Sequence, residues 1–450
     1  MFAAAVDLGP NMNLRMILAG SMLLSVLSSI GSVDRSLVVA AAAAPERALF
    51  DAAVVAKGAE LAAIGNCRSC HTKSGGEPFA GGLPLSTPFG TIHSTNITPD
   101  PDTGIGLWSG EDFLRAMHDG VDRAGRHLYP AFPYDHFTRM DALDVAAIYA
   151  FIMTRDPVRA EAPANRLRPP AGFRPAIAVW KALYFEPGVY RPDPSKSATW
   201  NRGAYLVEGL AHCGACHTPR NALGAENKRQ DLGGGEAERW HASSLTETSP
   251  APVPWSADAL YDYLRRGHEP RHGVAAGPMA PVAHNLSGVA EDDVRAIAAY
   301  IESRMQRPPA SAAAANAAVA AASERKTVAA SAATSKSAAA AVGGGEVFAG
   351  ACASCHGAGA ASPSPPPVAL GLTTSINAPD PRNAIHIVLE GLWPEPGEKG
   401  ALMPGFAGEL TDDQVIALVD YLRARFTDRP AWTDVPERLS EVRKAMQGEP

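Results

Sequence analysis

All 6 cysteines of this 450-residue chain fall into three copies of one short pattern. Each copy is a C-x-x-C pair followed directly by histidine: Cys67, Cys70 and His71; Cys213, Cys216 and His217; Cys352, Cys355 and His356. That spacing suits one chemistry above others. Two thiols add across the two vinyl groups of a haem, and the adjacent imidazole is held beneath the iron as its proximal ligand. A thioredoxin-type pair would need a βαβ context, which the sequence does not offer. Zinc-ribbon knuckles stand roughly 15–20 residues apart, whereas these pairs are separated by well over a hundred. Three copies with no cysteine left over are not a disulfide pattern either. The expectation is three covalently attached c-type haems with His71, His217 and His356 as proximal ligands.

The repetition extends beyond the cysteines. A helical segment is predicted to enter each pair, through Gly58-Ala59-Glu60-Leu61, Gly203-Ala204-Tyr205-Leu206 and Gly345-Glu346-Val347-Phe348. A second helix closes each unit with apolar residues at i, i+3 and i+6, the last aromatic: Val145, Ile148, Phe151; Val294, Ile297, Tyr300; Val415, Leu418, Tyr421. Such a stripe is one buried helical face. Asp141, Glu291 and Thr411 open these helices, as capping and the helix dipole favour. Trp108-Ser109 and Trp255-Ser256 each begin a shorter helix ending at Gly120 or Gly267, and Ile385, Val388, Leu389 and Gly391 take that place in the third copy. The chain is therefore expected to be mostly α, in three tandem units over residues 46–160, 195–307 and 342–428.

The remaining segments have other roles. Residues 1–44 read as an export signal, with Arg15 ahead of the apolar run Met16 to Val26 and small residues ending at Ala44. A retained N-terminal anchor is the alternative; either way the bulk of the chain is expected outside the cytoplasm. Residues 161–194 form a connecting strap, in a Pro- and Arg-rich stretch with Trp180, Tyr184, Phe185 and Tyr190 that reads as packed on the protein. Residues 308–341, nearly all small, form an Ala/Ser-rich linker. Residues 429–450 read as a polar tail. With 46% hydrophobic and 19% charged residues the chain is of ordinary globular type, and a net charge of −7 argues against nucleic-acid binding.

Cytochromes c commonly complete the iron with Met on the distal side. Met403, in Met403-Pro404-Gly405-Phe406, precedes the third closing helix, and Met279, after Gly277-Pro278, precedes the second. Both are expected as distal ligands. In the first unit the matching position holds Phe132, which cannot ligate iron. Met140 is favoured there, with His136 or an open site as alternatives. His93, His118 and His386 are expected on the surface or in packing.

Four stretches carry a resemblance: Ser94-Thr95-Asn96-Ile97-Thr98-Pro99-Asp100, Leu128-Tyr129-Pro130-Ala131-Phe132-Pro133-Tyr134, Trp200-Asn201-Arg202-Gly203-Ala204-Tyr205-Leu206-Val207-Glu208, and Cys216-His217-Thr218-Pro219-Arg220-Asn221. In these the sequence resembles the triheme cytochrome c subunits of bacterial membrane-associated dehydrogenases. The resemblance implies three tandem class I cytochrome c-like domains and an electron-transfer role. It implies a catalytic dehydrogenase partner, which would be a quinoprotein, flavoprotein or molybdenum enzyme. Ubiquinone or a terminal oxidase would be the acceptor, and the site of action the periplasm, with peripheral membrane association. A haem with both axial positions filled has no site for substrate and moves electrons only. The competing functions are a free or oxidase-linked periplasmic carrier and a peroxidase-like enzyme using an open first haem.

Overall fold

The computed structural model describes residues 50–306, 343–357, 368–393 and 403–447. The segments expected as signal and linker, 1–44 and 308–341, lie outside the described residues. In the first unit, α1 (Ala52–Ile64) leads into Cys67, α2 (Gly110–Asp119) follows, and α3 (Ala142–Met153) closes. The strap carries α4 (Pro175–Tyr184). The second unit holds α5 (Ala198–Tyr205), α6 (Ala257–Arg266), α7 (Met279–Ser287) and α8 (Glu291–Met305). The third holds α9 (Gly344–Ala351), α10 (Arg382–Glu390), α11 (Asp412–Phe426) and α12 (Val435–Met446).

Each entering helix crosses its closing helix at a glycine. A Cβ on Gly58 would lie 1.9 Å from the Ala147 carbonyl oxygen and 2.8 Å from Phe151 Cβ. At Gly203 the neighbours are Ala296 O at 2.0 Å and Tyr300 Cβ at 2.7 Å. At Gly344 they are Ala417 O at 1.9 Å and Tyr421 Cβ at 2.8 Å. The third crossing is thus at Gly344, one residue before the glycine that the repeat pattern selects. The crossing glycine precedes the first cysteine by nine, ten and eight residues in the three units. The second unit absorbs its extra residue in one π-helical turn, Leu206–Leu210, the usual form of a single-residue insertion in a helix.

The apolar stripes bury except at two of their aromatic ends, where Phe151 and Tyr421 stay partly exposed. Val145, Ile148, Val294, Ile297, Tyr300, Val415 and Leu418 are all at most 1% exposed, and side chains of this size contribute about 1.5–3 kcal/mol each on burial. Ser109 and Ser256 cap α2 and α6, accepting from Asp112 N and Ala259 N. Gly120 and Gly267 close those helices in the left-handed region, at φ 57° and 72°, where residues other than glycine are disfavoured. The expected counterpart, α10, buries Ile385, Val388 and Leu389 and ends at Gly391.

Short antiparallel strands stitch the loops. β1 (Pro84–Thr87) pairs with β2 (Gly90–His93), which pairs with β3 (Arg166–Leu167) of the strap. β4 (Gly235–Ala237) and β5 (Trp240–Ala242) form a hairpin after His217. The third unit docks on that hairpin. Asn383 exchanges two hydrogen bonds with the His241 backbone, at 2.9 and 2.8 Å, and Arg382 meets Glu236 at 2.6 Å. The ring of His386 stacks on Trp240, centroids 4.4 Å apart.

Residues after 428 are not merely a polar tail. Trp432, Val435, Leu439 and Val442 are buried in the core of the third unit, so α12 completes that unit beyond the boundary expected at 428.

Candidate functional site

The three Cys-x-x-Cys-His segments each form a single helical turn: Cys67–Cys70, Gly214–His217 and Ala353–His356. One turn places the two cysteines on one side and lets the histidine follow at its end. All six cysteines are free thiols, five partly exposed and Cys355 exposed.

Burial and the paired thiol set the ionisation of these cysteines. Burial, followed by the neighbouring Cys70, pushes the Cys67 thiol up to about 12. Burial and Cys216 do the same to Cys213, also to about 12. Cys352 rises to about 11 through burial and Cys355.

The first two histidines are oriented from behind. His71 Nδ1 donates to the Thr95 carbonyl at 2.7 Å, and His217 Nδ1 donates to the Ser243 carbonyl at 2.7 Å. A carbonyl can only accept, so Nδ1 carries the proton. Burial holds both imidazoles below their ordinary value, so each ring is neutral with its lone pair on Nε2. That is the tautomer a metal-binding histidine needs, with the backbone contact fixing the ring. The donor set therefore fits a haem iron at both positions.

The supporting loops correspond between units. Gly81 N donates to His71 O and Gly234 N to His217 O, both at 2.7 Å. Around the first, the Asn96 side chain donates to Val158 O at 2.7 Å and accepts from Thr98, tying the loop that carries Thr95 to the segment just ahead of the strap. Sequence reasoning missed Thr95 and Ser243 as anchors. They act through main-chain oxygens, so no residue-type signal marks them.

The expected distal methionines sit in different settings. Met140 is fully buried in the core that also packs Cys67. Met279 opens α7 and packs, partly buried, against the core that also packs Cys213. Met403 is partly buried, its backbone paired with Leu392 at 2.8 and 3.0 Å. Phe132 packs against the ring of Phe137.

His136, the alternative first ligand, is committed elsewhere. Its Nδ1 donates to Glu208 O at 2.9 Å and its Nε2 lies 2.8 Å from Glu226 Oε1. Burial opposes its charge, but Glu226 outweighs burial and lifts it to about 9. Both ring nitrogens are occupied, so it is an inter-unit ion pair. Of the histidines expected on the surface or in packing, His386 is buried against Trp240, while His93 and His118 are partly exposed.

The first two sites face each other. Asn285 on α7 donates to Asn66 at 2.5 Å, beside Cys67, and His212 reaches Gly65 O at 3.3 Å, beside Cys213. His212 and Gly65, beside the first cysteines of two separate motifs, are therefore in contact.

Residues 341–425 match the cytochrome c family. Over 403 residues, 88% of the chain, the sequence is 44% identical to a nicotinate dehydrogenase subunit of Pseudomonas putida. The match covers 32% of that protein, so the chain spans about a third of its length. The sequence is 35% identical to the gluconate 2-dehydrogenase cytochrome c subunit of Pantoea cypripedii, covering 87% of this chain and 90% of that one. It is 34% identical to the fructose dehydrogenase cytochrome subunit of Gluconobacter japonicus, covering 86% and 82%.

Proposed function

This chain belongs to the family of cytochrome c subunits of bacterial dehydrogenases, and from that premise we propose that it is a relay of three covalent haems on three tandem class I cytochrome c-like domains. It takes electrons from a catalytic dehydrogenase subunit and passes them to ubiquinone or a terminal oxidase on the periplasmic side of the cytoplasmic membrane. The observation that carries this reading is the contact of His212, next to Cys213, with the carbonyl of Gly65, two residues before Cys67, since motifs in contact would bring the haems bonded to them close together.

Haem supplies a reversible one-electron store at its iron. The chain's own residues do the rest. Cys67 and Cys70, Cys213 and Cys216, and Cys352 and Cys355 hold the three groups, while His71, His217 and His356 occupy the proximal positions. The Thr95 and Ser243 carbonyls fix the first two imidazoles. Met140, Met279 and Met403 would hold the irons on the other side, where a thioether would raise the potential. The docking of Asn383 on His241 holds the third unit against the hairpin that follows the second histidine.

The family relation makes the chain an electron-transfer component and not a catalytic subunit. The relatives, cytochrome subunits of dehydrogenases by name, support the electron-transfer reading and not the peroxidase-like alternative. The donor class remains that of a quinoprotein, flavoprotein or molybdenum dehydrogenase. The relatives act on nicotinate, gluconate and fructose by name, and the chemistry in this chain selects none of them.

Stopped-flow mixing tests the proposal. The purified cytochrome should not oxidise such substrates alone and should be reduced rapidly when its cognate catalytic subunit and substrate are added. Turnover by the isolated cytochrome would refute it. Failure of reduction by every co-purifying dehydrogenase would favour a free carrier instead.

A further inference from the structure

The strap helix is turned inside out with respect to charge. On a surface helix the apolar stripe normally faces the core and the charges face water. On α4 only Ile177 is buried, while Val179 and Leu183 are 62% and 66% exposed. Pro175 and Ala182 are exposed on the same outward face, and Phe173, 65% exposed, lies just before it. Leu223, 54% exposed, sits alongside, its carbonyl accepting from Trp180 Nε1 at 2.9 Å. The helix's cations point the other way. Lys181 Nζ donates to the Asp119 carbonyl, and Arg174 donates to the His127 carbonyl at 3.0 Å. A contiguous apolar face of this kind marks an interaction surface.

We propose that this face docks on the anionic phospholipid surface of the membrane, with α4 lying in the headgroup layer. Charge complementarity selects that occupant. No Asp or Glu lies between Ala162 and Phe185, although Glu161 and Glu186 bound that stretch, and of its four cations Arg166 and Arg168 are not drawn inward as Arg174 and Lys181 are. Arg166 and Arg168 are exposed, free to meet lipid phosphates beside the apolar ridge. Trp180 and Tyr184 are half-buried on the same short helix, in keeping with the preference of these aromatics for the membrane boundary. Apolar side chains on one face with adjacent cations are the requirements for interfacial binding. The outward side chains of α4 offer no hydrogen-bonding group, which a protein partner's interface would supply about once per 100–200 Å². Among the described residues no helix is long and apolar enough to cross a membrane, so the contact would be peripheral.

This inference rests on the reading of the chain as an exported electron carrier, and its test separates the two. The holo-cytochrome is made as Leu183→Cys and, separately, as Leu143→Cys, 78% exposed on α3. Each new thiol is given a nitroxide label. With the native cysteines bound to haem, each variant should take up one label only. Vesicles of phosphatidylcholine with added phosphatidylglycerol should make the Leu183 label more accessible to oxygen and less accessible to an aqueous nickel chelate, leaving the Leu143 label unchanged. Arg166→Gln with Arg168→Gln should weaken vesicle binding by roughly an order of magnitude. A Leu183 label that stays accessible to water on vesicles overturns the proposal. So does one that is shielded only when the catalytic subunit is added, which would make this a protein interface. Reduction by the catalytic subunit in detergent is measured on the same samples. Normal reduction with a water-exposed Leu183 sinks the docking and spares the electron-transfer reading.

Discussion

Gly58 meets Ala147 with no space for a side chain: a methyl group there would lie 1.9 Å from the Ala147 carbonyl oxygen. The same relation recurs between Gly203 and Ala296 and between Gly344 and Ala417. Each involves backbone, which cannot swing aside as a flexible side chain would. Gly58→Ala, Gly203→Ala and Gly344→Ala are each expected to destabilise the protein by about 1–3 kcal/mol or more, the range for overpacking. Gly350 on α9 has open space around its Cβ direction, so Gly350→Ala should be neutral or stabilise by about 0.5–1 kcal/mol. Guanidinium denaturation of the four variants checks this. Equal behaviour of Gly350→Ala and Gly344→Ala would mean that helix propensity, not contact, governs these positions.

The haem count is open to direct chemical measurement. Pyridine haemochrome analysis should give three c-type haems per chain, retained after denaturation. Cys213→Ser with Cys216→Ser should remove one of them. The release of haem into acid acetone, or a count of two in the wild type, would contradict the assignment of all three motifs.

Much of this was legible because the chain repeats itself. Three copies of one motif, each followed by an apolar stripe, allow each unit to check the others. The stripe residues Val145, Val294 and Val415 are buried as expected for that reason. The misreadings came where repeats differ by one residue or where backbone acts alone. Gly344 and Gly345 are indistinguishable by composition, and only the contact with Ala417 separates them. The π turn at Leu206–Leu210 has no residue signature of its own. The α12 segment looks polar because its buried face is narrow, with Val435, Leu439 and Val442 spaced among Arg and Glu. His136 resembled a ligand because sequence cannot reveal Glu226, ninety residues away, as its partner.

The distal ligands give separable signals. Met279→Ala and Met403→Ala should each lower one haem potential and remove one methionine–iron charge-transfer band, because a thioether favours the reduced iron. The occupation of His136 by Glu226 leaves Met140 as the favoured first ligand, so Met140→Ala should behave likewise. Being fully buried, Met140 also leaves a cavity, at about 2–5 kcal/mol. Met140→Leu keeps most of the volume and isolates the ligand effect. A Met140→Leu variant with unchanged potentials would make this residue core filler. Potentiometric titration with optical detection reads all three.

The ion pair between His136 and Glu226 should make stability fall on the alkaline side of neutrality. His136 is raised from 6.5 to about 9, so the folded state binds its proton more tightly than the unfolded state. Its contribution is complete below about 6.5 and is lost as pH rises through about 9. The slope is at most about 1.4 kcal/mol per pH unit for one proton. Nearby groups act elsewhere on the scale. Glu226 is lowered, chiefly by its hydrogen bond to His136 working against burial, so its contribution is lost as pH falls. His212, packed against Phe137, is lowered to about 4 by burial and then by the His136 charge, and it too costs stability only on the acid side. Asp135 is raised by burial, so, like His136, it lowers stability as pH rises through its own range, and the His136→Gln comparison subtracts it. Arg220 lies 3.6 Å from Glu226. The interval between about 6.5 and 9 therefore reports His136. Urea midpoints across that interval should decline in the wild type and stay level in His136→Gln. Glu226→Leu, which leaves the imidazole buried without its partner, should cost roughly 3–5 kcal/mol near neutral pH. Parallel slopes in wild type and His136→Gln would show that the pair does not hold the first two units together.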